Sequence, residues 1–217
     1  MSTDSRDGSD ATAKRERILD AAFATFTERG YAASSTLEIA TRARVSKREL
    51  YALVGNKQAL LVQCISRRAT RLALPRDVPE PRDRETLERA LVTVGTHILL
   101  EVTEPNVVAA FRLAIAEALR APEVAQTVDS IGRETIRGSL RRMMAGAQAS
   151  GLLEGNPAEL AEQFGALLWG NTMVSLLLGV TTRPTSRAFA SRARDATAAF
   201  LKLNAPQAAT GMNRVDW

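Results

Sequence analysis

Apolar residues recur every three or four positions along nearly all of the 217 residues, and no stretch alternates with the two-residue period of a strand. The pattern predicts an all-α chain. Ile18, Ala22, Phe23 and Phe26 form one face of a first helix from about Thr12 to Arg29, which Gly30 stops. A helix from Lys57 to about Leu74 turns Leu60, Leu61, Cys64 and Ile65 inward and Arg67, Arg68 and Arg71 outward. The proline-broken RDVPEPRD follows, so a domain boundary is expected near Pro75. Five further helices fit the remainder. Their stripes are Leu87 to Val102, then Val107, Phe111, Ile115 and Leu119, then Val124 to Ala147, with two more over Pro157–Gly179 and Pro184–Leu203. The expected organisation is a disordered arm (1–11), a DNA-reading unit (12–56), a connecting helix (57–74), a larger helical body (75–203) and a flexible tail (204–217).

Between Ser35 and Leu60 the polar positions carry the information. Ser35 with Glu38, and Ser46 with Glu49, have the spacing of capping boxes, and Asn56 stands before Lys57 as a third cap. Helices are therefore expected to start near residues 36, 47 and 57, the middle one only two turns long. Ile39, Ala40, Ala43, Val45, Leu50 and Leu53 supply the small and apolar contacts of two helices crossing after a short turn. This is a helix-turn-helix.

Charge sharpens that picture. Residues 11–76 hold 13 Lys or Arg against 5 Asp or Glu, a balance of +8, whereas residues 77–217 hold 15 against 16. A basic segment joined to a neutral body suits a nucleic-acid module. One His, one Cys, no glycine-rich phosphate loop and no nucleophile motif argue against an enzyme, a metal site or a bound cofactor. MSTDSRDGSD is neither a signal nor a transit peptide, so a cytoplasmic protein is expected. The charge-free run Phe164–Thr182 contains Asn171, Thr172 and Ser175 and reads as a buried helix rather than a membrane span.

Residues 14–62 resemble the DNA-binding domain of the TetR family of bacterial transcriptional regulators. Ile18-Leu19, Ala21-Ala22, Phe26, Gly30-Tyr31, Ile39-Ala40, Val45-Ser46, Leu50-Tyr51 and Lys57 carry the match. FRLAIAEALRAPEVAQ and LAEQFGALLWGNTMVSLLLG resemble the AefR-like C-terminal domain of that family. The resemblance implies about nine helices: a three-helix reader, a connecting helix, and a ligand-binding and dimerising body. The chain departs from the family pattern in three places. Arg44 replaces a turn glycine, Leu53 and Val54 replace an aromatic or histidine pair, and Glu49 stands where a threonine is common.

The short helix puts Lys47 and Arg48 in its first turn, where side chains reach base edges, and an Arg fork suits guanine O6 and N7. Ser35, Arg44, Tyr51 and Lys57 are the expected phosphate contacts. One such reader grips few base pairs, so a homodimer on a palindromic double-stranded DNA operator is expected. Phe164, Leu167, Leu168, Leu177, Phe189, Ala193 and Phe200 are the expected interface. The resemblance implies a pocket for a small-molecule effector, for which His97, Phe111, Arg112, Met143, Trp169, Asn171 and Thr172 are the candidates. The reading is a ligand-responsive regulator, a repressor by the habit of the family. Its rivals are an activator or ligand-independent regulator of the same fold, and a helical interaction protein without DNA.

Overall fold

The computed structural model describes residues 4–73, 78 and 80–204, with side chains from residue 9 onward. Among these residues every regular element is helical. The helices are α1 (Asp4–Arg29), α2 (Thr36–Ala43), α3 (Lys47–Val54), α4 (Lys57–Ala69), α5 (Arg84–Val102), α6 (Pro105–Glu117), α7 (Pro122–Thr127), α8 (Glu134–Ala149), α9 (Pro157–Trp169), α10 (Thr172–Leu178) and α11 (Ser186–Leu203). A 3₁₀ turn, Thr70–Leu72, extends α4, and a π-helical stretch, Val128–Arg133, joins α7 to α8 without a break. Counting that rod as one gives ten helices. The tenth arises because the helix expected over Pro157–Gly179 is cut at Gly170, whose φ of 45° and ψ of −133° lie outside helical space. The first helix starts at Asp4, so residues 4–11 are helical rather than a disordered arm. The expected boundary at Pro75 and the expected tail beyond Asn204 lie outside the described residues.

The chain forms two compact units, which cut across the expected 75–203 body. Among the described residues, 4–73, 101–136 and 174–182 make the first, and 78, 80–100, 137–173 and 183–204 the second. The core of the first unit joins Ile18, Phe26, Ile39, Leu50, Leu60, Leu61 and Cys64 to Leu113 and Val124, all buried. Phe26 packs against Tyr31 at 5.2 Å between ring centroids. Here α6 buries Val108, Ala110, Leu113, Ala114 and Glu117, not the expected stripe, and Leu119 is 98% exposed. PNVVAAFRLAIAE is apolar around most of its circumference, so spacing alone does not choose its buried face.

The second unit corrects the expected dimer surface. Phe164, Leu168, Phe189, Ala193 and Phe200 are all buried within a single protomer. Phe164 meets Phe200 edge-on at 5.4 Å. Gly95 lets α5 approach α9 and α11 so closely that a Cβ there would lie 3.1 Å from Leu168 and 3.4 Å from Ala193 and Phe164. Helices apolar on several sides are buried, but the neighbours that bury them belong to their own chain. Arg192 closes α9 by donating from Nε to the Leu168 carbonyl (3.0 Å) and from Nη2 to that of Leu167 (2.7 Å).

Candidate nucleic-acid interface

The reader is built by its caps. Ser46 Oγ accepts from the Glu49 amide at 3.1 Å, and Glu49 Oε2 accepts from the Ser46 amide at 2.8 Å, completing the reciprocal box. Asn56 Oδ1 accepts from the Ala59 amide at 2.8 Å. At α2 only half the expected box forms. Ser35 Oγ accepts from the Glu38 amide, but the Glu38 carboxylate turns to Arg29 Nε at 2.7 Å. Glu49 is held below the usual carboxylate range by the Ser46 amide, the Ser46 hydroxyl and Lys14, whose Nζ lies 3.4 Å away. Its oxygens therefore serve the cap and α1, as its capping spacing suggests.

The turn between α2 and α3 strains one residue. Arg44 sits at φ 56°, ψ 47°, and is the one non-glycine with positive φ among the described residues. Its amide donates to the Thr41 carbonyl, and the Val45 amide donates to that of Ala40, the two bonds of a Schellman ending. The left-handed conformation costs an L-residue about 1 kcal/mol. Arg44→Gly should raise the midpoint of thermal unfolding by about 2–4 °C. If the guanidinium also serves DNA, the same variant binds DNA more weakly, so melting curves and gel shifts move in opposite directions.

Part of the positive charge near the reader is already engaged. Arg42 grips Glu28 through two bonds of 2.6 and 2.8 Å, and Arg67 pairs with Glu16 and Asp20. Arg15 donates twice to Gln63 Oε1, and Lys14 pairs with Asp10 at 3.0 Å. Lys47 and Arg48 differ. Both are exposed at the start of α3, and neither makes an ion pair with a described residue. Lys47 Nζ lies 5.9 Å from the centroid of the exposed Tyr51 ring, and the Tyr51 hydroxyl is 3.3 Å from Thr36 Oγ1. Arg44 lines a shallow groove with Arg17 and Arg42. Lys57 is more committed than its place at a helix start suggests. Its Nζ donates to the Ala32 carbonyl at 3.2 Å and sits 4.6 Å from the Tyr31 ring centroid, and burial pulls its pKa down.

Two residues that the sequence reading passed over connect α6 and α4 to the reader inside the first unit. Glu117 is buried. Its Oε1 accepts from the Ala32 amide at 3.3 Å, and its Oε2 has no hydrogen-bond partner among the described residues. Arg68 lays its guanidinium carbon 3.3 Å from the Phe23 ring centroid and donates from Nη1 to the Cys64 carbonyl at 2.9 Å. The available signal for Glu117 was a carboxylate in register with the apolar positions Ala110, Leu113 and Ala114. For Arg68 there was none, because its spacing puts it on the outward face with Arg67 and Arg71.

A small cavity of about 30 Å³, room for a water molecule or two, lies in the same unit, lined by Ile65, Arg68, Leu72, Val102, Phe111 and Val128 among others. Of the seven expected effector contacts only Phe111 lines it. Arg112 is engaged elsewhere, donating to the carbonyls of Leu176 (2.7 Å) and Leu177 (3.1 Å) at the end of α10. His97, Met143, Trp169, Asn171 and Thr172 belong to the second unit, with Asn171 exposed. Polar handles on a helical body carry no sign of which helices enclose a space.

Capped helices crossing over a tight turn, with unpaired cations leading the second helix, define a helix-turn-helix DNA-binding protein. Residues 18–64 match the family model for bacterial regulatory proteins of the tetR family, and residues 89–205 match that for the C-terminal domain of AefR-like transcriptional repressors. The flavonoid-responsive regulator FrrA is 31% identical, with a TM-score of 0.75 over 90% of this chain and 98% of its own. A TetR transcriptional regulator from Agrobacterium tumefaciens is 26% identical, with a TM-score of 0.72 over 88% and 94%. A TetR-family regulator from Mesorhizobium loti, 22% identical with a TM-score of 0.71 over 89% and 97%, shares the fold. No curated protein matches the chain at a significant level. The chain belongs to the TetR family and is a DNA-binding transcriptional regulator. Among the described residues no helix is long and apolar enough to cross a membrane.

Proposed function

We propose that the protein is a repressor that binds a palindromic operator as a homodimer and leaves it when a small, largely apolar ligand enters the body. The observation that carries the reading is the leading edge of α3. Lys47 and Arg48 stand exposed and unpaired there, while Arg29, Arg42 and Arg67 are neutralised by carboxylates. Lys47 and Arg48 read bases, and Ser35, Arg44, Tyr51 and Lys57 hold phosphates. The AefR-like match, to a family described as repressors, supports the direction of regulation, and the name of FrrA describes a regulator that answers to a small molecule.

The dimer surface is sought on side chains that the protomer leaves open. Leu167 and Leu177, the two expected interface residues that stay only half-buried, remain candidates, with the exposed Val174 and Leu178 near them in sequence.

A gel shift with DNA flanking the protein's own gene, at two salt concentrations, tests the reading. Specific retardation that weakens steeply with salt is expected. Retardation equal to that of random DNA would count against an operator. Arg48→Ala should cost about 1–3 kcal/mol on the operator and relax sequence preference, whereas Lys57→Ala should weaken all DNA about equally. Equal loss on operator and random DNA for Arg48→Ala would remove it from base reading.

A further inference from the structure

We propose that the groove between α1 and the end of α2 seats a backbone phosphate of the bound DNA, and that Arg17 of α1 holds it beside Arg44. This rests on the DNA-binding reading above and adds α1 to a surface otherwise drawn from α2, α3, the turn between them and the start of α4. Arg17, Ala21 and Ala24 share one face of α1, and Arg42, Ala43 and Arg44 close the groove from the end of α2. The floor is made of methyl groups. Ala21 and Ala43 are buried, and Ala24 is half-buried. Side chains this short leave the space between the flanking guanidiniums open.

Charge says which side chains are available. Residues 11–56 hold eight Lys or Arg. Arg29 and Arg42 pair with Glu38 and Glu28, Lys14 pairs with Asp10 and Glu49, and Arg15 donates to Gln63. The side chains of the other four, Arg17, Arg44, Lys47 and Arg48, make no hydrogen bond or ion pair with a described residue. Lys47 and Arg48 lead α3, whereas Arg17 and Arg44 flank the groove. The one carboxylate in its lining, Asp20, is answered by Arg67, and Glu28 neutralises Arg42. Two exposed guanidiniums without a counter-charge remain, and phosphate oxygens match the guanidinium fork.

The groove is continuous with the leading edge of α3. Side chains of a helix lean toward its N-terminus, so Arg17 leans toward the turn that carries Lys14. Lys14 Nζ lies 3.4 Å from Glu49 Oε1 in the first turn of α3. Arg44 stands two residues before Ser46, the cap of that same helix. Cations from α1, from the turn and from α3 therefore follow one border of the reader. A DNA strand whose bases meet α3 presents its backbone along that border, where a phosphate contact fixes register and carries no sequence information.

The test measures fluorescence anisotropy of the intact protein on two labelled duplexes over a series of salt concentrations. One duplex is the fragment retarded from the flank of the protein's own gene, and the other is a random sequence of equal length and base composition. Arg17→Ala should weaken binding to both by the same factor, and should lower the slope of log affinity against log salt by about 0.9 per bound protomer. Between about 50 and 200 mM salt, the gap between the variant and the unaltered protein should therefore close by about threefold per protomer. Arg17→Lys should keep most of the slope, and Arg17→Glu should weaken binding further than Arg17→Ala. Melting temperatures should stay unchanged, because Arg17 is exposed and holds nothing in the free protein. A second readout replaces single phosphates of the retarded fragment with uncharged methylphosphonates. One flanking position should then weaken the unaltered protein and leave Arg17→Ala unaffected. An unchanged affinity and slope for Arg17→Ala overturns the contact. A loss greater on the fragment than on the random duplex makes Arg17 a base reader and overturns the phosphate role. A loss with an unchanged slope, or one that follows a lowered melting temperature, overturns it in favour of a structural role. Equal binding of the two duplexes by the unaltered protein sinks the operator reading instead, while the slope on the random duplex still decides Arg17.

Discussion

Phe164→Ala is expected to lower stability by about 3–5 kcal/mol, a large part of what a domain commonly has. Phe164 is fully buried, stacks edge-on against Phe200, and lies 3.4 Å from where a Cβ on Gly95 would stand. Truncation removes a ring from the place where α5, α9 and α11 approach most closely, and backbones already this near have little room to close the void. Denaturant titration should show a midpoint shifted by the same amount at every protein concentration. The alternative, drawn from the sequence, is that Phe164 holds two subunits together. That version foretells a folded monomer with nearly unchanged intrinsic stability, which sedimentation and circular dichroism would reveal together.

Gly30→Ala is expected to be the most damaging single methyl in the reader, costing about 2–4 kcal/mol. Gly30 ends α1 at φ 87°, where an L-residue is strained, and its new Cβ would lie 2.4 Å from Glu117 Oε1. The carboxylate must then move, losing the Ala32 amide and leaving both its oxygens without partners in a buried position. The two contributions separate in a double-mutant cycle. In a Glu117→Ala background the collision is gone and only the backbone strain remains, so the penalty should fall to about 1 kcal/mol. Thermal melts of the four proteins decide it. An unchanged penalty in the Glu117→Ala background would mean that Glu117 does not press on the reader.

What the sequence made legible is local. Ser46 with Glu49, Asn56 before Lys57, and Gly30 after Arg29 announce their helix ends because a cap is a bargain between residues three or four apart. The identity of the α3 leading edge follows from those caps. Arg44 was legible as a departure from glycine, and its backbone does adopt the left-handed conformation. What could not be read is every decision made between distant segments. The stripe of α6 is ambiguous because most of its faces are apolar, so Glu117 was overlooked while Ile115 and Leu119 were placed inward. The break at Gly170 separates α9 from α10, and a Cβ there would strike Arg192 at 2.2 Å, a residue 22 positions later. The burial of Phe189 and Ala193 depends likewise on which helix lies opposite, which periodicity does not state. The exposed start of α3 was legible because it follows caps and charge; the lining of a cavity was not, because a cavity is a property of several helices at once.

Cys64 is the single sulfhydryl of the chain; burial drives its pKa up to about 11, and its Sγ lies 3.4 Å from the Leu19 carbonyl, between α4 and α1. Only the thiolate attacks alkylating reagents, so at neutral pH the folded protein should react slowly with iodoacetamide. The rate of that labelling becomes a built-in clock for how often those two helices part, readable by mass spectrometry without attaching a dye.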